Sequence, residues 1–224
     1  PLRCSPKSPP ARSILPPGTP SVDSVELISG SLASKGGAVV DNFVSAEWAA
    51  ELLEEQRQQS RRGIFRFAGT GRSDSHQLDS QTRGDQILWL DQGNALPAQC
   101  QYLARLEQLR LEVNRTLFLG LYALETHAAV YPPGSFYRRH LDGFRQGNLR
   151  ILTAILYLNP RWHVHDGGAL RLYLEANPNG EFLDVLPMSG RLVAFLSESF
   201  HHEVLETRRT RSSITSWFSC RPLQ

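Results

Sequence analysis

His140 and Asp142 stand two residues apart in the run Tyr137-Arg-Arg-His-Leu-Asp142. On an extended strand alternate side chains share a face, so this pair delivers one imidazole and one carboxylate to one point. Sixty residues later comes His202, with His201 beside it, and Arg211 lies nine beyond. A histidine from a second strand completes two nitrogens and one carboxylate oxygen. That donor set suits non-haem Fe(II) and leaves coordination positions open. Arg211 adds a fixed positive charge a strand-length away, where an acidic small molecule could end. Successive strand residues face opposite sides, so only one of His201 and His202 can point inward, and spacing does not choose between them. His163 and His165 repeat the i, i+2 spacing, but they lie between Pro160 and Gly167-Gly168 with no carboxylate at the same spacing. They are expected on the surface. His127 shares strand parity with Ala129 and Tyr131 and is expected to be a satisfied core histidine near the same cavity.

Elements must hold these groups in place. Gly36-Gly37 leads into a short strand, Ala38 to Val40. Ser45 can cap a helix running to about Ser60, with Glu47 in its first turn and Trp48, Ala49, Leu52 and Leu53 as its apolar stripe. Ile64 to Phe67 and Ile87 to Trp89 read as strands, separated by the polar, glycine-bearing stretch 69–84. A loop of that length is functional or disordered in most domains. A second helix fits Pro97 to about Leu119, with Cys100, Leu103, Leu106, Val113 and Leu117 as its core face. The pattern then changes to short strands at 126–131, 151–158, 169–174, 191–196 and 213–219, divided by Pro/Gly/Asn turns. Helices followed by many short strands predict an α+β, mainly β domain: a barrel or jelly roll with helices on one side.

Composition narrows the function classes. The 224 residues, 41% hydrophobic and 21% charged, suit one globular domain. A net charge of +2 with arginines spread throughout gives no reason to expect nucleic acid. Cys4, Cys100 and Cys220 are three in number, far apart and without CxxC spacing. They argue against a disulfide framework or zinc finger and fit a reducing compartment. No apolar run reaches the ~18 residues of a membrane helix, and no apolar leader opens the chain. The expectation is a cytoplasmic protein without a membrane partner. Residues 1–24, rich in proline, predict a disordered tail. A single domain is expected over 25–224, with its ligand-bearing strands in about 120–220.

Tyr131-Pro-Pro-Gly-Ser-Phe-Tyr-Arg-Arg-His-Leu-Asp142, Ile155-Leu-Tyr-Leu-Asn159, Gly167-Gly-Ala-Leu-Arg171, His202-Glu-Val204 and Arg211-Ser-Ser-Ile-Thr-Ser-Trp217 together resemble the prolyl 4-hydroxylase family of Fe(II)/2-oxoglutarate dioxygenases. The likeness is to the bacterial Pseudomonas type first and to the animal hypoxia-inducible-factor prolyl hydroxylases next. It covers roughly residues 38–219, including Arg83-Gly-Asp-Gln-Ile-Leu-Trp89, and implies a double-stranded β-helix.

The resemblance also assigns roles. It selects His202 over His201, making His140, Asp142 and His202 the Fe(II) ligands and the catalytic centre. Arg211 and Tyr157 hold the distal carboxylate of 2-oxoglutarate, a task suited to a planar, always charged guanidinium. Tyr131 lies near the metal-binding end of that co-substrate, and Thr153, Ile155, Leu170, Thr215 and Trp217 line the pocket. Asp85, Arg150 and Arg83 are the implied substrate contacts, the first two matching an acid–base pair that positions a loop over the substrate, and stretch 69–84 becomes a lid. Oxygen is the second co-substrate, and ascorbate supports turnover. The implied partner is a protein carrying the target proline, with elongation factor Tu and its switch loop as the expected substrate, acted on by a monomer. The tail and the sequence from Thr70 to Thr82 have no counterpart in the family, and the stretch before Tyr131 is shorter than in the animal enzymes. Rival readings are hydroxylation of another residue or a small molecule, a non-catalytic 2-oxoglutarate or oxygen sensor, and a zinc hydrolase. The last leaves Arg211 unexplained.

Overall fold

The computed structural model describes residues 22–69, 79, 81–142, 150–174 and 180–220. The expected tail therefore lies outside the described residues up to position 21, and so does the expected lid at 70–78 and 80. Residues 22–24 correct the tail boundary, because they open helix α1 (Val22–Lys35). Val25, Ile28 and Leu32 recur at helical spacing and are buried, which is why this segment folds back onto the domain.

Next come β1 (Gly37–Val40) and α2 (Ala46–Arg61). Ser45 caps α2 as expected, its hydroxyl accepting the Trp48 N–H at 3.1 Å. After β2 (Arg66–Phe67) and β3 (Gln86–Leu90) comes α3 (Pro97–Leu117). The first turn of α3 is held by Glu55 of α2, whose carboxylate accepts the Ala98 and Gln99 N–H groups at 2.8 and 2.9 Å. The core face of α3 is Tyr102, Leu106, Leu109 and Val113. Cys100, expected inside, is exposed, and Leu103 and Leu117 only brush the core. The aromatic Tyr102 sets the stripe, which leaves Cys100 on the outer side of the first turn.

The remaining strands are β4 (Leu121–Tyr131), β5 (Tyr137–His140), β6 (Arg150–Tyr157), β7 (Leu170–Tyr173), β8 (Phe182–Val185), β9 (Leu192–Leu196), β10 (His202–Val204) and β11 (Arg211–Cys220). They form two antiparallel sheets, a large one ordered β1-β9-β6-β11-β4-β3-β2 and a small one ordered β5-β10-β7-β8. Short β8 and β10 carried no alternation long enough to be read in the sequence. The facing sheets make a double-stranded β-helix with α1, α2 and α3 on the outer face of the large sheet.

Alternation explains why β6 is apolar on both sides. Leu152, Ala154 and Leu156 face the helices and join the outer core, while Ile155 and Tyr157 face the small sheet and join the inner one. The chemistry-bearing residues of the large sheet share the parity of Ile155. The fold thus separates a helix-backed support from an inner face that carries the site.

Candidate metal and co-substrate site

His140 ends β5 and His202 begins β10, and the two are direct cross-strand partners. Each ring is oriented from behind. His140 Nδ1–H donates to the Arg138 carbonyl at 2.7 Å, and His202 Nδ1–H donates to the Phe200 carbonyl at 3.1 Å. A carbonyl only accepts, so Nδ1 carries a proton in both rings, the tautomer that leaves Nε2 as the ligand atom of a neutral imidazole. The two Nε2 atoms lie 3.6 and 3.5 Å from the carboxylate oxygens of Asp142. All three ligand atoms fall within 4.8 Å of one another.

Asp142 is not on the strand, as its spacing suggested. It sits in the bend just past β5 and turns inward there. Its Oδ2 accepts the Thr153 hydroxyl at 2.8 Å, and Thr153 in turn lies 2.8 Å from Ser197 Oγ. With Thr153 donating forward, the Ser197 hydroxyl must donate to Thr153. Burial alone would raise the Asp142 pKa, but His202 and His140 beside it hold the carboxyl well below the usual range. Burial outweighs that same carboxylate at His202 and pushes its imidazole down to about 4. At neutral pH His202 therefore presents a neutral nitrogen and Asp142 an anionic oxygen to the same point. His201 is half-buried on the other side of the strand, and His163 and His165 are exposed.

These groups open onto a cavity of about 270 Å³. Its lining includes Tyr131, Ile155, Leu170, Arg211, Thr215 and Trp217, as expected, and also Ser213, Tyr137, Trp89 and His127. Thr153 and Tyr157 are set behind the lining rather than in it, Thr153 acting on Asp142 instead.

Arg211 starts β11 and is 1% exposed. Its Nε–H donates to the Gly168 carbonyl at 2.9 Å and a terminal N–H donates to Ser213 Oγ at 3.3 Å. No carboxylate among the described residues pairs with it. Its guanidinium carbon lies 4.8 Å from the Tyr131 ring centre and 5.0 Å from that of Tyr157. The Tyr157 hydroxyl is buried with no hydrogen-bond partner among the described residues, and burial raises its pKa to about 12 against the pull of Arg211, so it stays a donor. Gly168, at φ +66°, lets the loop approach this closely; a Cβ there would meet Thr207 Oγ1 at 2.9 Å and Arg211 Cδ at 3.1 Å.

The expected pairing of Asp85 with Arg150 does not form. Arg83 and Asp85 lie two apart on an extended segment and pair with each other through two 2.7 Å hydrogen bonds. Arg150 instead reaches across β11, over the Trp217 ring at 3.8 Å, to Glu125 on β4 at 2.8 Å. Arg83 and Arg150 still line the cavity, and Asp85 is buried behind it. His127 is buried between Trp89 and Trp217, with ring centres 5.1 and 4.9 Å away, and its Nδ1 has no partner among the described residues. Burial lowers its pKa to about 3, so the ring is neutral. It is part of the cavity wall, the side strand parity suggested, but it is not the satisfied core histidine expected, because Nδ1 lacks a partner among the described residues.

Tyr137 went unassigned in the sequence for a physical reason. It lies three residues before His140, and on a regular strand those two would face opposite sides. The β5–β10 register shifts between His202 and Val204, whose partners are His140 and Tyr137. This bulge brings both side chains to one face, and their rings stack at 3.7 Å and 17°.

The donor set fits a non-haem Fe(II), and the buried, unmatched guanidinium with a spare hydroxyl beside it fits a small dicarboxylate. The 2OG-Fe(II) oxygenase superfamily matches residues 126–219. A solved Pseudomonas putida prolyl-4-hydroxylase is 44% identical, with a TM-score of 0.78, over 88% of this chain and 99% of that one. A Trichoplax adhaerens prolyl hydroxylase, solved with a peptide of the hypoxia-inducible-factor oxygen degradation domain, is 26% identical with a TM-score of 0.76, over 88% and 89% of the two chains. A Caenorhabditis elegans hypoxia-inducible factor prolyl hydroxylase is 30% identical over 209 residues, 86% of this chain. The chain spans only 28% of that relative's length. On the likeness to the Pseudomonas enzyme, which holds over nearly its whole length, the chain belongs to the prolyl 4-hydroxylase family of Fe(II)- and 2-oxoglutarate-dependent dioxygenases.

Proposed function

We propose that this protein hydroxylates a prolyl residue of a protein substrate at C4, releasing succinate and CO₂. One observation carries the reading: a buried arginine with no carboxylate partner among the described residues sits in the same cavity as a His-Asp-His cluster. Iron, with 2-oxoglutarate and oxygen, supplies the oxidising power for an unactivated C–H bond. His140, Asp142 and His202 hold the metal and leave positions free. Arg211 binds the distal carboxylate of the co-substrate, with Tyr157 donating its hydroxyl and Ser213 alongside. Tyr131 flanks the same molecule, and Ile155 and Leu170 exclude water from it. Thr153 keeps the Asp142 carboxylate turned toward the metal. Trp217, Thr215, His127 and Trp89 face the substrate side of the cavity.

The substrate we favour is elongation factor Tu, through a proline in a switch loop, as the resemblance to the bacterial enzymes implies. We also infer a monomer working in the cytoplasm. No helix among the described residues is long and apolar enough to cross a membrane. The Trichoplax relative, solved with a peptide from a larger protein, supports a protein segment as substrate over a free metabolite.

The test is incubation with Fe(II), 2-oxoglutarate, ascorbate and elongation factor Tu, followed by peptide mass spectrometry and succinate measurement. A one-oxygen gain on a single proline is expected. Succinate release stimulated by other proteins or by metabolites, without that gain, would move the reading to another substrate. No succinate under any condition would favour a sensor.

A further inference from the structure

The two metal histidines are supported unequally. His202 lies on an interior strand of the small sheet, its side chain 4% exposed and its ring against Phe195 at 4.9 Å. His140 ends the edge strand β5, its side chain 20% exposed. Beyond its Nδ1 hydrogen bond and the tilted His202 ring at 4.2 Å, the Tyr137 ring stacked flat against it restrains its plane.

Tyr137 is itself clamped. The Arg83 guanidinium carbon lies 4.1 Å from its ring centre. In the ring plane a group cannot come that close to the centre, so Arg83 lies over a face of the phenol. The imidazole already fills one face at 3.7 Å, so Arg83 occupies the other. The result is a three-layer stack of guanidinium, phenol and imidazole.

The outer layer is fixed by backbone as well as by charge. Asp85, with a fully buried side chain, grips the guanidinium through two 2.7 Å hydrogen bonds. Residues 82–84 run antiparallel to β5. Arg83 bridges Tyr137, the Gly84 N–H donates to the Phe136 carbonyl at 3.0 Å, and the Arg138 N–H donates to the Thr82 carbonyl at 2.9 Å. The segments touch closely enough that a Cβ on Gly84 would meet Ser135 Oγ at 3.1 Å and Cβ at 3.2 Å. A planar cation held on one side of a phenol leaves the imidazole on the other side little room to turn.

We propose that Arg83 is a positioning residue of the metal centre: through Tyr137 it fixes the plane of His140, so that Nε2 is aimed before metal arrives. This rests on His140 being a metal ligand, and it replaces the expectation that Arg83 is a substrate contact. Groups that orient a metal-binding imidazole from behind tune affinity by ~10–100-fold when removed. The ligand at the edge of a sheet needs such support more than the one in its middle.

The test is Co(II) titration of the metal-free protein, read by the visible d–d spectrum, which reports ligand geometry without turnover. Arg83→Met is expected to weaken Co(II) by at least ~10-fold and to change the shape of the spectrum. Tyr137→Phe keeps the stack and should bind within about threefold of the wild type, whereas Tyr137→Leu should behave like Arg83→Met. Arg171→Met is the matched control. It removes a two-point ion pair to Asp184 and a stack on Phe182, both on the outer face of the small sheet, and should leave Co(II) binding unchanged. A folded Arg83→Met with wild-type affinity and spectrum overturns the proposal. If that variant does not fold, Tyr137→Leu decides: a wild-type spectrum overturns the proposal, and a changed one that Tyr137→Phe restores supports it. Wild-type protein that binds no Co(II) would instead remove the metal site itself, and with it the proposed function.

Discussion

Arg211 and Arg83 line one cavity, and both are withdrawn from water. Arg83 has its carboxylate, Asp85, two residues away, and spends its free face on Tyr137. Arg211 has a carbonyl, a serine hydroxyl and two aromatic rings, but no counter-ion among the described residues. A buried charge without a partner costs several kcal/mol, and proteins seldom carry that cost without a ligand to offset it. The comparison separates an arginine that builds the site from one that waits for something to bind.

The largest effect should come from breaking the waiting arginine. Arg211→Met keeps the apolar stem and removes the charge. The affinity for 2-oxoglutarate should fall by ~100-fold or more, since one partner of a buried charge pair is worth 2–5 kcal/mol. The ligand-free variant should be at least as thermally stable as the wild type, because an uncompensated buried charge has gone. Calorimetric titration reads the first and a melting curve without co-substrate reads the second. A variant that melts well below the wild type while still binding 2-oxoglutarate would show Arg211 to be structural, like Arg83.

The next effect lies at the metal end. Thr153→Val removes the hydroxyl that donates to Asp142 and strands the Ser197 hydroxyl behind it. Metal affinity should drop ~10-fold while the affinity for 2-oxoglutarate at saturating metal changes little. Equal losses in both would mean that Thr153 supports the cavity as a whole.

The reading of the sequence succeeded where one residue acts alone and weakened where residues act in pairs. The His-x-Asp pair and Arg211 carry their chemistry in their residue type, so linear spacing exposed them; His202 was told from its neighbour His201 only by the family resemblance. Asp85 and Arg150 were expected to pair, yet partner choice depends on which strands lie side by side. Arg83 was two residues from Asp85 on the same face, and Glu125 was two strands from Arg150. Tyr137 was hidden by a register shift that no single-strand pattern contains. Helix α1 was missed although Val25, Ile28 and Leu32 carry its spacing, and the proline-rich segment before it drew the tail boundary too late. Ser197 carries no signal: a serine near a strand end gains a role only when Thr153 comes to face it.

His127 offers a third test, because it is a buried base on the same wall. Burial drives its pKa from 6.5 to about 3; Arg83 and Arg150 push the same way, and Asp85 and Asp142 oppose. A histidine with a depressed folded pKa takes up its proton on unfolding. Its contribution to stability is therefore complete above about 6.5 and is lost as the pH falls toward 3. His127→Phe should flatten part of this decline. The wild type should lose about 2.5 kcal/mol more than the variant between pH 7 and roughly pH 4.5, at ~1.4 kcal/mol per pKa unit. Because His202 titrates in the same direction, the difference between the two denaturation series is the quantity to read. Parallel series would mean that His127 is accessible to solvent protons in the folded state.

The smallest effect should come from Glu125→Gln, at the partly exposed end of the Arg150 pair. An ion pair of this exposure contributes at most ~1 kcal/mol to stability, so the melting temperature should barely move. Its consequence should appear in substrate binding instead. Arg150 is held flat over Trp217 by Glu125 on the far side of β11, and the two together shape the cavity wall next to Trp89, which is 48% exposed. Loosening Arg150 should raise the KM for the protein substrate by about threefold while leaving the KM for 2-oxoglutarate and the metal affinity unchanged. A rise in the co-substrate KM of the same size would instead tie the rim to the floor at Arg211, and the division between a built wall and a waiting charge would have to be redrawn around Trp217.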